Sequence, residues 1–168
     1  MTTTVSFILK ASTAQTLGAL KGILAKGQAH AKALNCDEAA ILAQRLYPDM
    51  FDLPRQVQIA CDTVARGAAR LAELDMPSFP DTEKTFEELI ARCDKAIAYV
   101  NGVEDAKIDA TAQKTLQIPV GPNTIPMTGQ QYLQSFILTN LHFHAAMAYG
   151  LLRKQGVQIG KRDYLMPA

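Results

Sequence analysis

Apolar residues recur along this chain at steps of three and four, the spacing that gathers side chains on one side of an α-helix, and they do so in four long stretches. The first covers about residues 12–34, where Leu17, Leu20, Leu24, Gly27, Ala31 and Leu34 share a face. Leu53, Val57, Ala60, Val64, Ala68 and Leu71 carry the second, about residues 53–74. Phe86, Leu89, Ile90, Cys93, Ile97 and Val100 carry the third, about 83–101, and the fourth runs from about 129 to 155. Local chemistry marks the ends. Thr82 and Thr128 are placed to cap the third and fourth helices, Pro77 and Pro80 stop the second, and Gly156 stops the last. Asp37 can cap a short helix through Ala43, and the segment from Tyr47 to Pro54 reads as a proline-bounded connector.

One stretch breaks the helical period. Leu116, Ile118 and Val120 alternate with polar residues, Gly121-Pro-Asn-Thr124 has turn chemistry, and Ile125-Pro-Met127 returns. That pattern predicts a small β-hairpin, confined by Pro119 and Pro126 to edge positions. The predicted fold class is all-α: an up-and-down four-helix bundle with a small β-hairpin before the last helix. No repeat or composition break divides residues 1–168, so one domain is expected.

Two polar residues stand where the pattern calls for apolar ones. On the fourth helix Leu133, Phe136, Ile137, Met147 and Leu151 fall on one face, and Asn140 and His144 land in the middle of it, one turn apart. Burying an amide and an imidazole costs a few kcal/mol unless they are hydrogen-bonded. The pair must therefore bond each other, a water, a facing side chain or a ligand. The plainer reading is a satisfied core histidine with a structural amide; the sharper one makes Asn140 and His144 a ligand site, with His144 the candidate catalytic group.

Gln58 and Asp62 on the second helix are also four apart, but they project away from its aliphatic stripe. A solvated face accounts for them, unless that helix has two buried faces, in which case they join the ligand set. His142 falls on the far side of the fourth helix and His30 on the flank of the first. Asp49 reads as a capping residue of the connector, and Tyr149, Arg153, Lys161 and Asp163 as a surface ion-pair and docking region.

Composition narrows the partners. The 168 residues carry a formal charge of +1 with acids and bases mixed, so no basic patch exists to meet a phosphate backbone, and nucleic acid is not expected. Three cysteines, Cys36, Cys61 and Cys93, are odd in number and widely spaced, which fits a reducing compartment, the cytoplasm, and supplies no structural zinc site. No run approaches the roughly 20 apolar residues of a membrane span, and the segment from Met1 lacks the basic start of a secretory signal. Phosphate-loop, Gly-x-Ser-x-Gly, His-Glu-x-x-His and Glu-x-x-His patterns are all missing, and no local sequence supplies a base to activate Cys61 or Cys93.

Several blocks in fixed order, Arg45-Leu-Tyr-Pro-Asp-Met-Phe51, Arg55-Gln-Val-Gln-Ile-Ala-Cys-Asp62, Phe79-Pro-Asp-Thr82, Phe143-His144, Leu152-Arg153 and Gly160-Lys-Arg-Asp163, resemble the bacterial DUF1993 family. That family has no assigned activity and is grouped by fold with the DinB/YfiT-like four-helix bundles, which are regarded as metalloenzymes and often dimerise. The resemblance implies a divalent metal held by three histidines, one on the second helix and two in a His-x-x-x-His on the last. In this chain the second of that pair is His144, the first position is Asn140, and the second-helix position falls near Gln58. One imidazole of three remains, and an amide is a poor substitute for imidazole at zinc or nickel.

Three functions follow, in order of preference. The first is a binding module holding a small polar molecule at the bundle centre around Asn140 and His144, with Gln58 and Asp62. The second is a DinB-like metal-dependent transferase or hydrolase with an incomplete histidine triad. The third is a structural or homodimerisation unit using Tyr149 and the 160–163 tail. The residues themselves name no cofactor.

Overall fold

Thr4 opens the first helix by accepting the amide N–H of Phe7 on its hydroxyl, and α1 runs Val5–Ala33 in the computed structural model, which describes residues 3–167. The helix begins well before residue 12, because Val5, Ser6 and Leu9 extend its buried face and Asp109 ties down both the amide and the hydroxyl of Ser6 at 2.8 Å. Met1 and Thr2, the start of the segment read above against a secretory signal, lie outside the described residues. As expected, Asp37 caps a short α2 (Glu38–Leu42).

Asp52 caps α3 (Leu53–Leu71), with Pro54 in its first turn. This helix stops at Leu71 rather than near 74. Glu73 takes a left-handed φ of 53° and the Leu74 amide reaches back to the Ala69 carbonyl, so the chain leaves the helix before either proline. The next cap is also displaced, from Thr82 to Thr85, at the head of α4 (Phe86–Gly102). Three residues after Thr85 stands Glu88, whose carboxylate returns the bond to the Thr85 amide; three residues after Thr82 no such group is present.

A short α5 (Asp105–Ala110) precedes the hairpin of β1 (Thr115–Val120) and β2 (Asn123–Thr128), antiparallel with Leu116 opposite Met127 and Ile118 opposite Ile125. Gly121 has φ 58° while Pro122 is locked at negative φ, the combination of a type II′ turn, whose twist suits a two-residue hairpin loop. The last long helix is not uniform. Thr128 caps α6 (Gly129–Tyr132), Leu133–Ile137 form a π-helical turn, and α7 (Leu138–Lys154) completes it. After Gly156 (φ 88°) the chain ends in α8 (Lys161–Leu165).

The four long helices form a ring in the order α1, α4, α3, α7 around a core that includes Leu17, Leu20, Leu24, Val57, Leu89 and Leu141. Their directions follow from the contacts. Lys10 meets the Val103 carbonyl and Lys21 meets Asp94, so α1 and α4 run oppositely. Gln56 meets His144 and Gly67 meets Ile137, so α3 and α7 also run oppositely. His30 near the end of α1 meets the Gln155 carbonyl at the end of α7, so those two are parallel. With α4 opposing α1 and α3 opposing α7, α3 and α4 are parallel too, joined where Cys61 lies on Cys93 and Asp62 on Arg92. A connection between parallel neighbours must travel back along the bundle, and residues 72–85 do so without helix or strand. The tail read as a docking region docks on its own chain: Asp163 pairs with Lys26 at 2.5 Å, Tyr164 packs edge-on to Tyr149, and the Gln15 amide reaches the Leu165 carbonyl. No helix among the described residues is long and apolar enough to cross a membrane.

Gly129 sets how closely α6 approaches α5. A methyl there would lie 2.3 Å from the Thr111 backbone oxygen, and backbone cannot rotate aside. Gly129→Ala is therefore expected to lose about 1–3 kcal/mol in urea denaturation. The control Gly150→Ala, where a methyl meets nothing within 4 Å, should lose none.

Candidate functional site

The outer face of α3, expected to be solvated, is covered. Arg92 of α4 stands within an apolar run, Leu89, Cys93, Ala96, and its side chain is 1% exposed. Its Nη1 donates to the Pro80 carbonyl at 3.0 Å and to Glu83 at 2.8 Å, and its Nη2 donates to Asp62 at 2.7 Å and Asp81 at 3.0 Å. Burial works to lower the pKa of the guanidinium, but the bonds to Glu83 and Asp62 outweigh it and hold the group charged above even its ordinary value. Gln58 is buried beside this cluster, donating to Glu83 at 2.9 Å, and Arg55 pairs with Asp81 at 2.5 Å. Phe79 of the crossover lies under both Arg92 and Lys95. Gln58 and Asp62 thus face inward, but towards Arg92 rather than towards Asn140 and His144. The signal for this was the arginine inside the third helix's stripe.

His144 is buried, as its helical phase requires, and finds a facing side chain: its Nδ1 lies 2.8 Å from Gln56 Oε1. The Gln56 amide nitrogen donates to the Phe51 carbonyl at 3.2 Å, which turns the oxygen to the imidazole and places the ring proton on Nδ1. Gln56, not Gln58, is therefore the α3 residue across from His144. Asn140 does not join the pair. It is half-buried, and its amide donates at 2.8 Å to the carbonyl of Phe136, inside the π turn, where a wider winding leaves carbonyls without their usual partners. Thr139 serves Phe136 and Ser135 in the same way.

A cleft of about 270 Å³ opens along α3 where the hairpin and the π turn pass over it. Arg55, Asp62, Arg66 and Arg70 line one wall; Ile118, Pro119, Tyr132 and Phe136 line the other. The rings of Tyr132 and Phe136 are 5.5 Å apart and tilted by 33°; Tyr132 is buried, so the half-buried Phe136 presents the aromatic surface and Tyr132 backs it. Of the residues singled out in the sequence, only Asp62 borders this cleft. Arg66, Arg70 and Tyr132 escaped notice because arginines on a helix exterior and a tyrosine in a core stripe look ordinary until the hairpin covers them.

The donors do not fit a metal. Gln56 and Asn140 are committed to His144, the Phe51 carbonyl and the Phe136 carbonyl, which leaves one imidazole. Among the described residues no three His, Cys, Asp or Glu side chains are grouped to hold an ion. Cys61 and Cys93, distant in sequence, have sulfurs 3.8 Å apart in the core; the Cys93 thiol and burial push the Cys61 thiol up, away from the reactive thiolate.

Two outcomes follow. Arg92→Met leaves Glu83 without a cation and removes the buried partner of Asp62, and is expected to cost about 3–5 kcal/mol, measured by urea denaturation, with faster proteolysis between residues 72 and 85. For His144, burial and then the nearby Arg55 lower the pKa below its ordinary value. Above about pH 6.5 both folded and unfolded chains hold the ring neutral. As the pH falls below that, the unfolded chain takes up the proton first, so stability declines through the window down to the folded pKa. Melting temperatures between pH 7.5 and 5.5 should fall more steeply for the native chain than for His144→Gln.

Comparison with known proteins agrees with this architecture. A crystal structure described as a DinB family member protein from Shewanella denitrificans superposes with a TM-score of 0.84, at 37% sequence identity over 95% of this chain and 91% of that one. No curated protein matches. The family model named Domain of unknown function (DUF1993) matches residues 8–165, nearly the whole chain, and on that match the chain belongs to the DUF1993 family.

Proposed function

We propose that this protein is a small-molecule binding module whose ligand lies in the cleft between α3, the hairpin and the π turn, and that binding needs no metal. The observation that carries the reading is a concave, partly aromatic space flanked by Arg66 and Arg70, donors with hydrogen-bonding capacity left to spend. The bundle centre around His144 offers less, since the Gln56 amide answers Nδ1 and only the ring's Nε2 is left over. A transferase or hydrolase would need an acid and a base placed together; the free groups along the cleft are cationic donors, which recognise rather than react. The π turn supports the same reading, since such turns often accompany functional sites. Three free cysteines, two of them in contact yet unbridged, support a cytoplasmic setting.

An NMR screen of small ring compounds against the uniformly labelled chain tests this. Binders should shift the amides of Ile118, Tyr132 and Phe136, and Ile59→Trp, which fills the cleft, should abolish those shifts while the fold is kept. Binders that collect instead around Gln56 and His144, or that ignore Ile59→Trp, would defeat the proposal.

A further inference from the structure

We infer that the ligand of this cleft is a planar, largely apolar monocarboxylate, gripped by Arg66 and Arg70 and stacked on Phe136; the inference rests on the binding reading above. Arg66 is 58% exposed, and its carboxylate neighbour, Asp62 Oδ2 at i−4, is a loose ion pair at 4.0 Å, while Oδ1 of the same group bonds Arg92 at 2.7 Å. Arg70, one turn further on, gives an N–H to the Gln117 carbonyl at 3.3 Å and pairs with no carboxylate among the described residues. Arg55, the third arginine of the cleft, is held by Asp81 and is not free. Two adjacent guanidiniums, Arg70 with no carboxylate and Arg66 with only a loose, exposed one, are suited to the two oxygens of a ligand carboxylate.

The Tyr132 hydroxyl lies beside Arg70, and burial raises its pKa, so it stays a neutral donor available to the same oxygens. Behind the charges stand the Phe136 ring and Pro119, backed by the buried Tyr132 and Ile118. A flat ring can stack there, and about 270 Å³ holds little more than one ring with its acid group. Asp62 on the cationic wall repels a second negative charge, which selects a monoanion over a phosphate dianion.

Benzoate, neutral benzamide and inorganic phosphate are the probes, titrated at low salt into the whole chain and followed by NMR. Benzoate should bind saturably with shifts at Tyr132 and Phe136, and benzamide and phosphate at least tenfold more weakly. Arg66→Gln, at an exposed position, should weaken benzoate about tenfold with an unchanged melting temperature, and Arg70→Gln by at least as much. Failure of benzoate to bind, benzamide or phosphate binding as well as benzoate, or indifference to Arg66→Gln would overturn the monocarboxylate assignment. If the ring-compound screen still places neutral binders in the cleft, only the ligand class falls. If it places none there, the binding reading falls with it.

Discussion

A guanidinium sealed inside a protein cannot shed its proton, so the chain around it must supply negative charge, and at Arg92 that requirement organises one side of the bundle. Helices α3 and α4 are parallel, and the segment between them has to return along the bundle with no regular structure of its own. Arg92 fastens it, holding the Pro80 carbonyl, Asp81 and Glu83 from the crossover together with Asp62 from α3. The same bond to Asp62 reaches outward. Asp62 is shared: one oxygen bonds the buried Arg92 at 2.7 Å and the other stands 4.0 Å from Arg66, a looser pairing on the cleft side. One carboxylate thereby links the buried cluster to the charge along the cleft.

The four long helices and the hairpin were legible because a single solvent-facing side makes periodicity visible. Leu17, Leu20 and Leu24 need only spacing to be assigned. Helix ends were legible only where chemistry is unambiguous: Asp37 and Thr128 cap as expected, whereas Thr82 yielded to Thr85 because the reciprocal Glu88 lies three residues further on. Gln58 and Asp62 resisted reading for a different reason. On α3 the polar strip of Arg66 and Arg70 stays open while the flank with Gln58 is covered by the crossover, and helical spacing alone does not separate the two; the residue that does, Arg92, is thirty positions away from Asp62.

The site was half legible. Burial of His144 followed from its phase, but its partner Gln56 belongs to another helix, and no periodicity in one helix reports the register of its neighbour. Asn140, on the same stripe, serves a local need of the winding instead. Where related bundles are expected to carry a second and third imidazole, this chain has amides, and the chemistry changes accordingly. Imidazoles can share a cation; here the Gln56 amide satisfies one nitrogen of His144 and leaves a single imidazole nitrogen, too few donors to hold a metal. The fold is shared with a DinB family member, while the bundle centre of this chain pairs an imidazole with an amide.

The π turn at Leu133–Ile137 carries a consequence for how such a fold can diversify. A turn closed by i→i+5 bonds takes up about one residue more than an α-turn, so the winding before it and after it is out of angular step. Tyr132 on one side is thereby free to address the hairpin and Arg70, while Leu141, Ala145 and Ala148 on the other keep their seam within the bundle. Loss of a single codon in this stretch would restore plain α winding and swing Tyr132 by about 100°, leaving that seam undisturbed. In this architecture the length of one helical turn, and not only the identity of its side chains, is a setting by which a lineage can retune what its cleft admits.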